Sequence, residues 1–433
     1  MKTQAEIRKQ ILDLVRLYHK SAPEETFKEV RYAGRVFDEK EIQNAVEASL
    51  DFFLTEGKWS AEFNNLFRQF TGAKFSMLVN SGSSANLIAL STLTSESLGK
   101  DRLKRGDEVI TVACGFPTTV NPIIQNGLVP VFVDIDPHTY NVNVKELIQA
   151  VSGKTRAVML AHTLGNPFDI EYVKGLCVEA GLYLIEDCCD ALGSTYNGIH
   201  VGNFGDIATC SFYPAHHITM GEGGAVFTNS ELVARISQSF RDWGRDCYCK
   251  GGDNDTCGCR FTRNYGDLPL GYDHKYVYSE IGYNLKVTDI QASIGVAQLR
   301  KLPSFINYRK HNFKRWSTEL LPLSNYFEFP VATRNSDPSW FAFPITIKDN
   351  FGFSRTELTT FLSKNLIETR NVFAGNLTKQ PAYKNIEKRI ASDLKVTDNV
   401  MNNTFFLGCY PGMTGDHIRY TVDKIDEFVR SRK

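Results

Sequence analysis

Between residues 75 and 230 short apolar, β-branched runs alternate with stretches of helical pattern, and few architectures accept that alternation. Residues 75–79, 108–112, 129–133, 157–160 and 183–186 read as strands, each bounded by Gly, Asp or Asn. Each is followed by a plausible helix or loop. This order predicts an α/β fold with a mainly parallel sheet and helices on both faces, whose ligands gather at the carboxyl ends of strands.

A helical pattern beginning at Asp289 is expected to end near Lys301-Leu302-Pro303, because proline interrupts helices. The expected organisation is a helical extension over 1–40, a large domain over 41–300 and a smaller α+β domain over 301–433. The last carries a strand candidate at 340–347 and a closing helix at 423–429. Lys plus Arg and Asp plus Glu both number 49, so no general attraction to polyanions, and no nucleic-acid partner, is expected. Neither a signal-like leader nor a membrane-length apolar run is visible, and the cytoplasm is the expected location.

In a reducing compartment the ten cysteines are thiols or metal ligands rather than disulfides. Cys114, Cys177, Cys210 and Cys409 stand alone and read as small buried side chains. The other six gather as Cys188-Cys189 and as Cys247, Cys249, Cys257 and Cys259, which calls for a chemical explanation.

Asn80-Ser81-Gly82-Ser83-Ser84-Ala85-Asn86 follows a strand and opens an apolar helix, offering small residues, hydroxyls and free backbone N–H groups to an anion. A plain serine-capped helix is the bland alternative. Asp187 ends an apolar strand, where it is either a cap or ion-pair residue or a partner for a protonated heterocycle. Phe116 is either core or a lid on a flat ring. Ser211-Phe212-Tyr213-Pro214-Ala215-His216-His217 precedes a glycine pair, Gly223-Gly224. Of two adjacent histidines on a turn, one is expected to face a ligand and the other to be structural.

Together these segments resemble the fold-type I, sugar-modifying aminotransferases among the pyridoxal-phosphate enzymes, over almost the whole chain. The resemblance implies a seven-stranded, mainly parallel sheet, with Gly82, Ser83 and Ser84 in the phosphate loop and Ser211 as a further phosphate contact. It makes Phe116 the ring-stacking aromatic and Asp187 the pyridinium partner. Asn284, in Gly282-Tyr283-Asn284, would reach the phosphate of a neighbouring subunit, implying a homodimer with shared sites. His216, five residues after Ser211, holds the place of the cofactor lysine. A lysine there makes the Schiff base that tethers the aldehyde cofactor. An imidazole moves protons but cannot form that bond, so the implied cofactor is a loosely held pyridoxamine 5′-phosphate.

Within the family the resemblance narrows to the CDP-6-deoxy-L-threo-D-glycero-4-hexulose-3-dehydrases. Cys189, Cys247, Cys249 and Cys257 fit the spacing C-x57-C-x-C-x7-C that holds a [2Fe-2S] cluster in those enzymes. If the strand stays extended past Asp187, Asp187 and Cys189 share a face about 7 Å apart and Cys188 takes the other. Thiolates suit structural zinc as well as iron–sulfur, and Cys259 stands as second choice for Cys257. Asp253 falls where some relatives carry another cysteine. The implied reaction is loss of the C3 hydroxyl from a CDP-linked 4-keto-6-deoxyhexose through a pyridoxamine phosphate ketimine, with His216 as base. Its product would be reduced by an NADH-dependent flavin or iron–sulfur reductase, in 3,6-dideoxyhexose and O-antigen synthesis. Rival readings are an aminotransferase using another lysine such as Lys286, a cluster-free 3-dehydratase, and a zinc-braced regulator.

Overall fold

The computed structural model describes residues 1–22, 29–249, 255–349 and 351–432; Asp253 lies outside them. Strands β1 (Phe75–Val79), β2 (Glu108–Val112), β3 (Val129–Val133), β4 (Thr155–Ala161) and β5 (Tyr183–Asp187) fall where the alternation placed them. A hairpin of β6 (Thr195–Tyr196) and β7 (Ile199–His200) follows, then β8 (Ile207–Ser211) and β9 (Gly224–Thr228). The short strands β10 (Phe327–Glu328) and β11 (Ser336–Asp337) lead to β12 (Ala342–Ile347), β13 (Arg370–Asn371), β14 (Arg389–Ile390) and β15 (Thr404–Gly408).

The main sheet has the order β1-β9-β8-β5-β4-β2-β3-β14. Seven strands match the expected sheet, and the two-residue β14 adds an eighth at its edge. β9 runs antiparallel to both β1 and β8, while the central neighbours are parallel. The parallel strands are buried on both faces, which is why they read as continuous apolar runs rather than alternating ones.

Helices α1 (Gln4–Lys20), α2 (Glu39–Asp51), α3 (Lys58–Thr71), α4 (Gly82–Thr92), α5 (Pro117–Gln125), α6 (Val144–Ala150), α7 (Ile170–Ala180) and α8 (Glu231–Arg241) surround or precede the sheet. α9 (Asp289–Glu319) does not stop at Pro303 but runs on through it. Buried Leu302, Phe305, Ile306 and Trp316 on the continuing helix outweigh the single hydrogen bond that proline removes. α10 (Arg355–Lys364), α11 (Lys395–Asn403) and α12 (Gly415–Arg430) complete the chain. A second apolar cluster joins β12 and β15 to α10, α12 and the end of α9 through Phe343, Phe405, Leu358, Ile425 and Trp316. No helix among the described residues is long and apolar enough to cross a membrane.

Candidate active site

The carboxyl ends of β2, β4, β5 and β8 open into a cleft of about 710 Å3, closed opposite by Phe341, Arg370, Asn371, Phe373 and Phe406. On the strand side lie Ser81, Gly82, Ser83, Phe116, Asp187, Cys189, Ser211 and His216. These are most of the residues singled out in the sequence.

Ser81 caps α4, its hydroxyl oxygen accepting from the Ser84 N–H at 3.1 Å. That fixes the first turn so that free N–H groups face an incoming anion. Ser83 lines the cleft, whereas the Ser84 hydroxyl donates to Asn80 Oδ1 at 2.6 Å and lies outside the lining. Gly82 is required sterically: a Cβ there would lie 2.5 Å from Ser211 Cβ and 3.1 Å from Cys189 Sγ. The same holds for Gly224, whose Cβ would meet the Ser81 carbonyl oxygen at 2.4 Å.

Asp187 is buried at the floor. Its Oδ2 accepts from Asn86 Nδ2 and the Thr119 hydroxyl, each at 2.8 Å, and its Oδ1 accepts from the Cys189 N–H at 3.0 Å. That last bond turns the chain, so the strand does not stay extended past Asp187. Asp187 and Cys189 nonetheless share the cleft while Cys188 is buried in the core. Phe116 is half exposed and packs edge-on against Phe373, with ring centroids 5.9 Å apart.

The two histidines divide as expected. His216 faces the cleft, with Nδ1 3.4 Å from Asp190 Oδ1. This is ion-pair range without hydrogen-bond geometry, since the buried Nδ1 has no hydrogen-bond partner. Its carbonyl accepts from Arg309 Nη2 at 2.9 Å. His217 is buried, with Nε2 2.7 Å from the Ser339 carbonyl, and burial pushes its pKa well below the usual imidazole value. Sequence reasoning missed Asp190, Thr119 and Asn86. Only Asn86 left a signal, as a polar residue on the apolar helix α4.

Among the described residues no lysine lines this cleft. Lys286 lies elsewhere, 3.5 Å above the Trp243 ring and 3.4 Å from Asp242 Oδ1, in a separate depression shared with Cys247 and Cys249. Asn284 is exposed, outside the cleft of its own chain.

Residues 37–426 match the DegT/DnrJ/EryC1/StrS aminotransferase family. The chain belongs to that family. It is 54% identical over 396 residues to the lipopolysaccharide biosynthesis protein RfbH of Salmonella typhimurium, covering 92% of this chain and 91% of the relative. It is 50% identical over 423 residues to the dTDP-4-dehydro-2,6-dideoxy-D-glucose 3-dehydratase of Saccharopolyspora spinosa, covering 97% and 91%. Among solved structures, GDP-4-keto-6-deoxymannose-3-dehydratase with bound GDP-perosamine matches with a TM-score of 0.83 at 28% identity, covering 92% of this chain and 100% of that one. The Escherichia coli enzyme with bound hydrated PLP matches with a TM-score of 0.81 at 28% identity, covering 92% and 100%. The architecture is that of the fold-type I aminotransferases.

The family implies a pyridoxal or pyridoxamine phosphate, and the cleft fits one. A helix N-terminus stripped of Cβ at Gly82 suits the phosphate, and a buried carboxylate held by two side-chain donors suits a pyridinium nitrogen. The four-thiolate set fits less well. The sulfurs of Cys247, Cys249 and Cys257 lie within 4.8 Å of one another, but Cys189 is in the cofactor cleft and not in that group. Cys257 also groups with Cys259 and His274, whose Nε2 contacts Asp246 Oδ2 at 2.6 Å.

Proposed function

We propose that this protein removes the C3 hydroxyl of a nucleotide-linked 4-keto-6-deoxyhexose, specifically a CDP-linked one, using pyridoxamine phosphate with His216 as base. The carrying observation is a cofactor cleft that presents a histidine in the lysine's place and is lined by no lysine among the described residues. Likeness to two 3-dehydratases supports loss of the C3 hydroxyl, and likeness to RfbH supports a role in lipopolysaccharide biosynthesis. The CDP group and the 3,6-dideoxyhexose and O-antigen assignment rest on the sequence resemblance.

When bound, the cofactor supplies an amine to condense with the C4 ketone and a ring that accepts electrons. The residues supply the rest. The α4 N-terminus, Ser83 and Ser211 would hold the phosphate, Asp187 would keep a proton on the ring nitrogen, and Phe116 would supply an aromatic face to the ring. His216 removes a proton through Nε2, and the Asp190 carboxylate 3.4 Å from Nδ1 is placed to offset the charge the ring gains. The C3 hydroxyl then departs as water.

Reduction of that product would require two electrons. The thiolate group of Cys247, Cys249 and Cys257 supports a [2Fe-2S] cluster and an NADH-dependent reductase partner as parts of the proposal. Cys189 as fourth ligand rests on the spacing alone. The exposed position of Asn284 is compatible with a homodimer.

The test combines three measurements on anaerobically purified protein: borohydride treatment, iron and sulfide content, and incubation with CDP-, dTDP- and GDP-linked 4-keto-6-deoxyhexoses. The expected outcome is no reducible lysine linkage, bound iron and sulfide, and water lost from the CDP sugar fastest. A lysine-linked cofactor, or conversion of the keto sugar to an amino sugar, would overturn the dehydratase reading. Iron-free protein that still dehydrates would favour the cluster-free alternative.

A further inference from the structure

The cleft must satisfy two anions if its substrate is a nucleoside diphosphate sugar, and the N-terminus of α4 answers only the cofactor's phosphate. The remaining charge in the lining is mostly of the wrong sign. Asp187, Asp190 and Glu222 all contribute carboxylates, and Arg370 is the only lysine or arginine lining the cleft among the described residues. A diphosphate entering that field is repelled unless it meets the guanidinium.

Arg370 is built for such a contact. It sits on β13, whose pairing with Phe405 and Phe406 of β15 fixes the backbone on the wall opposite the phosphate loop. Its guanidinium lies 4.1 Å over the Tyr32 ring, a stack that restrains the plane of the fork. Nη1 donates to the Thr369 carbonyl at 2.8 Å, and Nη2 stands 3.9 Å from Glu368 Oε1, beyond hydrogen-bond length. The side chain is 46% exposed, so its outer N–H groups remain open to a ligand. A planar, always-charged fork suits two phosphate oxygens better than a point charge.

We propose that Arg370, stacked on Tyr32, binds the diphosphate of the sugar nucleotide and is the cleft's second anion site. This rests on the reading of the substrate as a nucleotide-linked sugar. With the diphosphate held there, the sugar spans the space between the two walls and its keto carbon faces the cofactor side.

The test is calorimetric titration of pyridoxamine-phosphate-loaded protein with CDP, dTDP, GDP and the corresponding nucleosides, for wild type, Arg370→Met, Arg370→Lys and Tyr32→Leu. In Arg370→Met the dissociation constant for the diphosphate that binds best rises about tenfold or more, the scale of a charge-assisted contact at a half-exposed site. Arg370→Lys falls between, and Tyr32→Leu weakens binding by a smaller factor. Nucleoside binding does not change, and cofactor absorbance reports an intact fold. If the Met variant does not fold, Arg370→Gln replaces it. Equal affinity of wild type and the folded uncharged variant for the diphosphate overturns the assignment of Arg370. Failure of the wild type to bind any nucleoside diphosphate overturns the nucleotide-sugar reading itself.

Discussion

At the scale of single residues the chemistry converges on His216. Replacing it with asparagine should leave the cofactor's affinity nearly unchanged while slowing solvent proton exchange at its C4′ carbon by about 10²- to 10⁴-fold, the usual worth of a general base. Exchange followed by mass spectrometry at the wild-type rate would remove His216 from that role. In the proposed reaction Asp190 acts through His216, with 3.4 Å between the two groups. Asp190→Asn should lower turnover by about tenfold or more, alter its pH profile and spare cofactor binding; an unchanged pH profile would leave Asp190 a merely structural residue. That His216, Phe116 and Asp187 would meet in one cleft was legible in the sequence because each ends or follows a strand whose carboxyl end opens into it. Asp190 and Thr119 were not, because contacts made across the fold leave no local pattern. The Ser84 hydroxyl, bonded to Asn80 rather than facing the cleft, shows the same limit within a single motif.

At the scale of elements, the β1–α4 junction is the tightest joint. A methyl group at Gly82 would press on Ser211 at 2.5 Å, so Gly82→Ala should weaken pyridoxamine phosphate binding about tenfold and lower stability by roughly 1–3 kcal/mol. Fluorescence titration and thermal melting would report the two effects, and an unaltered cofactor affinity would show that the loop yields without cost. Four of the strands read from the sequence, β2 to β5, were found because buried parallel strands leave unbroken apolar runs. The two-residue β14 was too short for any periodicity, and α9 was cut early because its tertiary packing overrode a local rule about proline. Arg309 on that helix donates to the carbonyls of Trp340 and Phe341 and to that of His216. Burial lowers its pKa to about 10, which still leaves it charged near neutrality. Arg309→Met would strand these carbonyls at a cost on the order of 2–4 kcal/mol. It should also slow proton exchange with its loosened base; urea denaturation and the C4′ exchange assay would check both.

For the whole molecule, desolvated histidines, the buried His217 above all, set an acid limit. Burial depresses the pKa of His217 well below its ordinary value, and it depresses those of His200 and His417 in the same direction. The folded state therefore keeps these rings neutral while the unfolded chain takes up protons below about pH 6.5. Their contribution to stability is complete well above that pH and is lost progressively as pH falls below it. Melting temperature should decline as pH is lowered below about 6.5, and less steeply in His217→Gln; an identical slope would show that His217 does not carry the effect. That α9 runs unbroken into the C-terminal apolar cluster was not legible in the sequence, where Pro303 suggested a stop. α9 spans 31 residues without interruption, a rod of about 45 Å. Opening the protein near residue 300 would break backbone hydrogen bonds in the middle of α9 in addition to the one that Pro303 lacks. Shifting the segments at the cleft rim breaks none of them, so that rim is where a sugar nucleotide is expected to enter and leave.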